Sequence, residues 1–169
     1  MTTILNDVNL PAVGELIGAI KEEPSKADTL WQATVVWNGG FRSEARIRDF
    51  APVPSDEPFA LGGDNTAPNP VEQLLGALGN CLVVGYASNA TAAGIELKSV
   101  TVDLEGDLDL HTFLGLAAGN AGYETIKAQV SIESDAPAEQ IEELHRKVTG
   151  TSPVGHTLSR SVPVAIELV

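Results

Sequence analysis

The chain is short of sulfur, of aromatic rings and of positive charge. One cysteine, Cys81, excludes an internal disulfide, and no second thiol exists to build a thiolate metal site, which suits a reducing, cytoplasmic setting. Ten lysines and arginines stand against 23 aspartates and glutamates, a formal charge of -13. Phosphate backbones and anionic lipid surfaces repel such a chain, so neither a nucleic acid nor a membrane is an expected partner. Three histidines, His111, His145 and His156, are scattered without ligand spacing, so no metal site is expected. No glycine-rich phosphate loop or dinucleotide fingerprint is present, and no cofactor is expected. The first residues lack the basic start, apolar core and small-residue cleavage site of an export signal.

What is present is enough apolar sequence, 43% of 169 residues, to bury the core of a single domain. Val13, Leu16, Ile17 and Ile20 recur at helical spacing after Pro11, which predicts a short amphipathic helix ending near Glu23. "TLWQATVVWNGGFRSEARI" reads as two antiparallel strands about Asn38-Gly39-Gly40. "FAPVPSDEPFALGGDNTAPNP" holds five of the ten prolines and predicts a long ordered surface loop of the kind that shapes sites. Asn69 and Pro70 then open a long helix that Gly94 stops. Strands are expected over 97–108 and 123–134, a helix capped by Asp135 with Ile141, Leu144 and Val148 on one face, and a last strand over 162–168. Strands and helices mix without regular alternation, so the fold class is α+β.

The long helix poses the functional question. Between Asn65 and Ile95 its only charge is Glu72, so water has almost no polar face to wet. The stretch is interrupted by Asn80, Ser88, Asn89 and Thr91, which favours a buried helix of a water-soluble domain over a membrane span. Val71, Leu74, Leu78 and Cys81 share a stripe, and glycines and alanines flatten other faces. Burial nearly all round calls for a second copy, so a homodimer is expected. By composition Cys81 reads as a small buried hydrophobe; a reactive thiolate needs a cationic or hydrogen-bonding neighbour brought by the fold.

"APNPVEQLLGALGNC" resembles the thiol-helix signature of the OsmC/Ohr family, peroxiredoxin-like proteins of osmotic induction and organic hydroperoxide resistance. "DEPFALGG" and "SPVGHTLSRSVPV" resemble that family's approach loop and second active-site segment, in the right order. The likeness spans about 31–169 and leaves residues 1–30 as a helical extension of a single OsmC-like domain over 1–169. The resemblance implies an intertwined α+β homodimer with long buried central helices against antiparallel sheets. It implies a thiol peroxidase in which Cys81 attacks an organic or hydrogen peroxide. Where the family carries a second cysteine, this chain has Ser152, which cannot form a disulfide, so an external thiol reductant would restore Cys81.

The family also pairs its cysteine with a glutamate and an arginine. Glu72 lies near the acidic position, although it is equally a first-turn residue favouring the helix amino end. Arg42, Arg46 and Arg48 alternate along "GFRSEARIRDF", where pairing with Glu44 is the ordinary role; Arg48, leading into the loop, is the choice for a thiolate partner, from its own or a partner subunit. Ser152 would either hydrogen-bond the sulfur or a substrate oxygen, or simply turn the chain before Pro153. His156 would form a Cys-His pair in a hydrolase or stand solvated. A non-redox protein holding a hydrophobic small ligand, or a Cys-dependent hydrolase, is the alternative, and an inert structural Cys81 is a third reading.

Overall fold

The computed structural model describes residues 4–168. The described residues divide into two compact bodies, residues 11–74 and residues 4–10 with 75–168.

In the first body the amphipathic helix forms as α1, Leu10–Glu22, ending just before Pro24. Its apolar positions stay open: Val13, Leu16 and Ile17 are all exposed. The hairpin forms as β1, Thr34–Trp37, and β2, Ser43–Arg46, with Thr34 opposite Arg46 and Trp37 opposite Ser43. Gly39 and Gly40 take positive φ at the turn, the conformation for which a missing Cβ is best suited. The start of the proline-rich segment is not loop but a third strand, β3, Val53–Ser55, paired antiparallel to β2. Pro54 lacks an amide hydrogen and is tolerated because β3 is the edge of this three-stranded sheet.

Asp56 organises the rest of that segment. Its carboxylate is buried, and it accepts hydrogen bonds from the backbone N–H of Glu57, Asp64 and Thr66 and from the Thr66 hydroxyl, at 2.8–3.1 Å. Burial alone would raise its pKa; four donors outweigh that and hold the carboxyl below its ordinary range. Gly63 packs against the Glu57 carbonyl so closely that an added Cβ would sit 1.9 Å from its oxygen.

The second body contains most of α2, Pro70–Ala92, then β4, Ser99–Asp107, a short α3, Leu110–Phe113, β5, Thr125–Glu133, α4, Ala138–Thr149, and α5, Pro153–Leu158. Strands β4 and β5 pair antiparallel with Val100 opposite Ile132 and Val102 opposite Val130, so alternate residues of both strands present one apolar face. Helices α2 and α4 pack on that face. Leu78, Leu82, Tyr86 and Ala90 form the buried stripe of α2, and Leu144 and Val148 the buried stripe of α4, with Ile95 between. Each fully buried large side chain contributes about 1.5–3 kcal/mol. Gly85 lets the helices approach: a Cβ there would meet Val148 Cγ1 at 2.9 Å.

Several expectations are corrected. The buried stripe of α2 follows i, i+4 steps through Leu78, Leu82 and Tyr86 instead of the stripe through Val71, Leu74 and Cys81. The other sides of the helix stay open within one chain, Val84 being 68% exposed, and the burial expected there is left to a second copy. Asp135 does not cap α4; it pairs with Lys98, and Pro137 occupies the cap position without a side-chain bond. Residues 162–168 carry the alternating apolar pattern of a strand but pair with nothing among the described residues, and Val164, Ile166 and Leu168 are exposed. Asn6, by contrast, ties the amino end to this body, donating to the Thr91 hydroxyl and the Ile95 carbonyl and accepting from the Leu97 N–H.

Because the Asp56 carboxyl titrates lower folded than unfolded, its contribution to stability is complete above the ordinary carboxylate pKa of about 3.9 and is lost as pH falls through the depressed value. Asp56→Asn is therefore expected to lower Tm by several degrees at pH 7 and to flatten the acid limb of the stability profile. Thermal denaturation followed by circular dichroism from pH 7 down to pH 2.5 checks both effects.

Candidate functional site

Cys81 follows Leu78 by three residues and precedes Leu82 by one, so it flanks the buried stripe of α2 and is half-buried. Its sulfur faces the start of α5. That helix begins where Pro153 can occupy the first turn without a missing amide bond, and Ser152 caps it: the Ser152 Oγ accepts the Gly155 N–H at 3.1 Å. The same Oγ lies 3.3 Å from Cys81 Sγ. Both roles open to Ser152 in the sequence are thus filled at once, and its side chain is only 5% exposed. α5 itself was not legible as a helix; the Ser-Pro pair opening it was the available signal.

A groove of about 420 Å³ opens beside the sulfur. Val84, Gly85, Val148 and Pro153 form its apolar wall, and Asn80, Ser88, Asn89 and Thr151 contribute amides and hydroxyls. None of its lining residues is charged. Within this body the thiol therefore meets the Ser152 hydroxyl at the edge of a groove of hydrocarbon, amides and hydroxyls, and solvent reaches it from that groove.

His156 lies on α5, exposed, and is not part of the groove lining, so the structure does not bring it into a Cys-His pair. The other two candidates belong to the first body. Glu72 forms a reciprocal capping box with Asn69: Asn69 Oδ1 accepts the Glu72 N–H at 2.9 Å, and Glu72 Oε2 accepts the Asn69 N–H at 2.8 Å. The helix-end role of Glu72 is thereby observed. Arg48 is not on the β2 face, because β2 ends at Arg46 and Arg48 adopts φ +51°, which breaks the strand alternation. Its guanidinium sits 4.6 Å from the centre of the Phe50 ring. Arg46 makes the ordinary pairing with Glu44, at 2.7 Å, and Arg42 pairs with Asp64.

One polar pair had no sequence signal. The Tyr86 hydroxyl, in a fully buried side chain, meets His145 Nδ1 at 2.5 Å across 59 residues of sequence. Burial pushes the Tyr86 phenol up, which keeps it a donor. Among the described residues no group of three or more His, Cys, Asp or Glu could hold a metal ion, and no helix is long and apolar enough to cross a membrane.

Comparison with known proteins gives a consistent picture. No curated protein sequence matches the chain significantly. Its fold is shared with an OsmC-like protein from Mycoplasma pneumoniae, at TM-score 0.67 and 21% identity over 78% of this chain and 89% of that one. It is shared too with an organic hydroperoxide resistance protein OsmC from Legionella pneumophila, at TM-score 0.59 and 19% identity, covering 78% of this chain and 91% of that one. A third likeness is to an organic hydroperoxide resistance protein from Elizabethkingia anophelis, at TM-score 0.58 and 17% identity over 76% and 89% of the two chains. The family model described as OsmC-like protein matches residues 63–167, which include the thiol helix, both strands of the second sheet and the Ser152 segment. With that match over more than half its length, the chain belongs to the OsmC-like protein family, as a member with serine where the family's second cysteine would stand.

Proposed function

We propose that the protein is a one-cysteine peroxidase that reduces organic or hydrogen peroxides in oxidative stress defence. The observation that carries this reading is the 3.3 Å contact between Cys81 Sγ and Ser152 Oγ beside an open, uncharged groove. A thiol kept only as core filler needs neither a hydroxyl partner nor a solvent path. The Ser152 Oγ already accepts from Gly155, so its own proton is available to a thiolate at Cys81.

In the proposed step the Cys81 thiolate attacks the terminal peroxide oxygen. The S–O bond forms as the O–O bond breaks, and the leaving alkoxide takes a proton to become an alcohol, or water when the substrate is hydrogen peroxide. Cys81 is left as a sulfenic acid, two electrons oxidised. Ser152 cannot condense with it, so an external thiol forms a mixed disulfide with loss of water, and a second thiol releases Cys81. Within this reading an arginine, Arg48 of its own or a partner subunit, is the proposed source of positive charge for the thiolate, and Glu72, too far along α2 to touch the sulfur of its own chain, is the proposed carboxylate partner of that guanidinium. The apolar wall suits an uncharged organic substrate.

We further propose that two copies associate through α2 and that the two bodies of each chain act as one OsmC-like domain, with residues 1–30 as an extension. The exposed Val83 and Val84 on α2 and the unpaired apolar alternation of 162–168 support association, because both leave hydrocarbon in water within a single chain. Sedimentation at micromolar concentration is expected to give a dimer, and a stable monomer would contradict the proposal. The uncharged groove also favours, as a second reading, a binding protein for a hydrophobic small ligand in which Cys81 does no redox work.

Exposure of the reduced protein to cumene hydroperoxide separates these readings. Intact mass is expected to show addition of one oxygen, captured by a sulfenic-acid trap, reversed by dithiothreitol and absent in Cys81→Ser. If Cys81 stays reduced while a free thiol in the same tube oxidises, the peroxidase reading fails. Ser152→Ala is expected to lower stability by about 0.5–2 kcal/mol through loss of the α5 cap, measured by urea denaturation. Ser152→Cys is expected to lose the trapped sulfenic acid and gain a peroxide-dependent internal disulfide, seen as a loss of two hydrogens in the intact mass.

A further inference from the structure

A second groove lies in the same body as the thiol but on other residues. It measures about 510 Å³, inside the range of small-molecule sites, and runs between β5 and α4. Val130, Ile132 and Ile141 give it an apolar floor, and Glu142, His145 and Arg146 stand along its edge. The edge is built as well as polar. The Tyr86 hydroxyl has no acceptor but His145 among the described residues, so it donates to Nδ1 and leaves the ring proton on Nε2. The two rings lie within 19° of parallel, so Tyr86 also fixes the plane of the imidazole. His145 thereby presents an oriented N–H donor.

Arg146, the next residue, makes no ion pair among the described residues, not even with Glu142 one turn earlier on α4. In a chain of net charge -13, Arg146 stands without a carboxylate partner among the described residues and lines the same groove as His145 and the apolar Val130, Ile132 and Ile141. A planar carboxylate matches the two parallel N–H groups of a guanidinium. Glu142 on the same edge opposes a second negative charge, which disfavours a dianionic head such as an alkyl phosphate.

We propose that this groove binds a monoanionic amphiphile, an alkyl chain ending in one carboxylate, with the chain on Val130, Ile132 and Ile141 and the carboxylate on Arg146 and the His145 Nε2–H. The site is separate from Cys81 and does not depend on the peroxidase reading.

Calorimetric titration of the full chain with decanoate, decyl phosphate and 1-decanol tests it. Decanoate is expected to saturate one site per chain, below the concentration at which it self-associates, and to bind more tightly than decyl phosphate. Arg146→Gln, at an exposed position that the fold tolerates, is expected to weaken decanoate at least tenfold and to leave 1-decanol unchanged. Cys81→Ser is expected to bind decanoate as the parent does. The proposal is overturned if decanoate does not bind, binds only as aggregates, or binds Arg146→Gln with parental affinity. Loss of binding in Cys81→Ser with retention in Arg146→Gln would place the ligand in the thiol groove and overturn it as well.

Discussion

The rotation of α2 about its own axis is the constraint on which the second body depends. Leu78, Leu82, Tyr86 and Ala90 recur every four residues, and burying that stripe against α4 and the β4–β5 face fixes the helix in one angular setting. Everything chemical follows from the setting. Cys81, one residue before Leu82, is turned about 100° off the stripe, so it sits at the edge of the core, neither sealed inside it nor fully in water. Tyr86 is carried wholly inward, where its hydroxyl must find a partner and finds His145.

Ser152 is the second fixed point. Pro153 at the first turn of α5 brings no amide hydrogen of its own, and Ser152 before it presents its oxygen to a later amide of that turn, the Gly155 N–H. That oxygen also touches the sulfur, so local helix chemistry and the site are one arrangement. A reducing partner from outside the chain becomes part of any turnover, because no second sulfur is available within it to form a disulfide with Cys81. The peroxidase reading therefore concerns an open, serviced thiol and not a self-contained redox pair.

Local signals in the sequence carried much of this fold. Asn69-Pro70 and Gly94 bracketed α2, Asn38-Gly39-Gly40 marked the hairpin, and the Leu144–Val148 face of α4 was readable from spacing alone. What failed had non-local causes. β3 was hidden because Pro54 and its proline neighbours read as loop, and only an edge position makes such a strand possible. The buried stripe of α2 was misphased because a helix with almost no charge gives no polar face to orient it. The strand expected over 162–168 has the right alternation, yet a strand is made by its neighbour, which the pattern does not specify. At the site, family resemblance picked out Cys81 and Ser152; the residues alone left both open between structural and chemical roles. The Tyr86–His145 pair was illegible, since nothing in either residue's surroundings points to the other.

Gly85 and Val148 stand in two places at once. Their close contact helps seat α4 on α2, and the same two residues form part of the hollow next to the sulfur. The hollow thus shares a party wall with the hydrophobic interior. Its width on that side is tied to interhelical spacing, so a change of side-chain size at Gly85 or Val148 alters the hollow and the seating of α4 together. Asn80, Ser88 and Thr151 line the same hollow outside that contact, so exchanges there alter its polar lining without entering the seam between the helices.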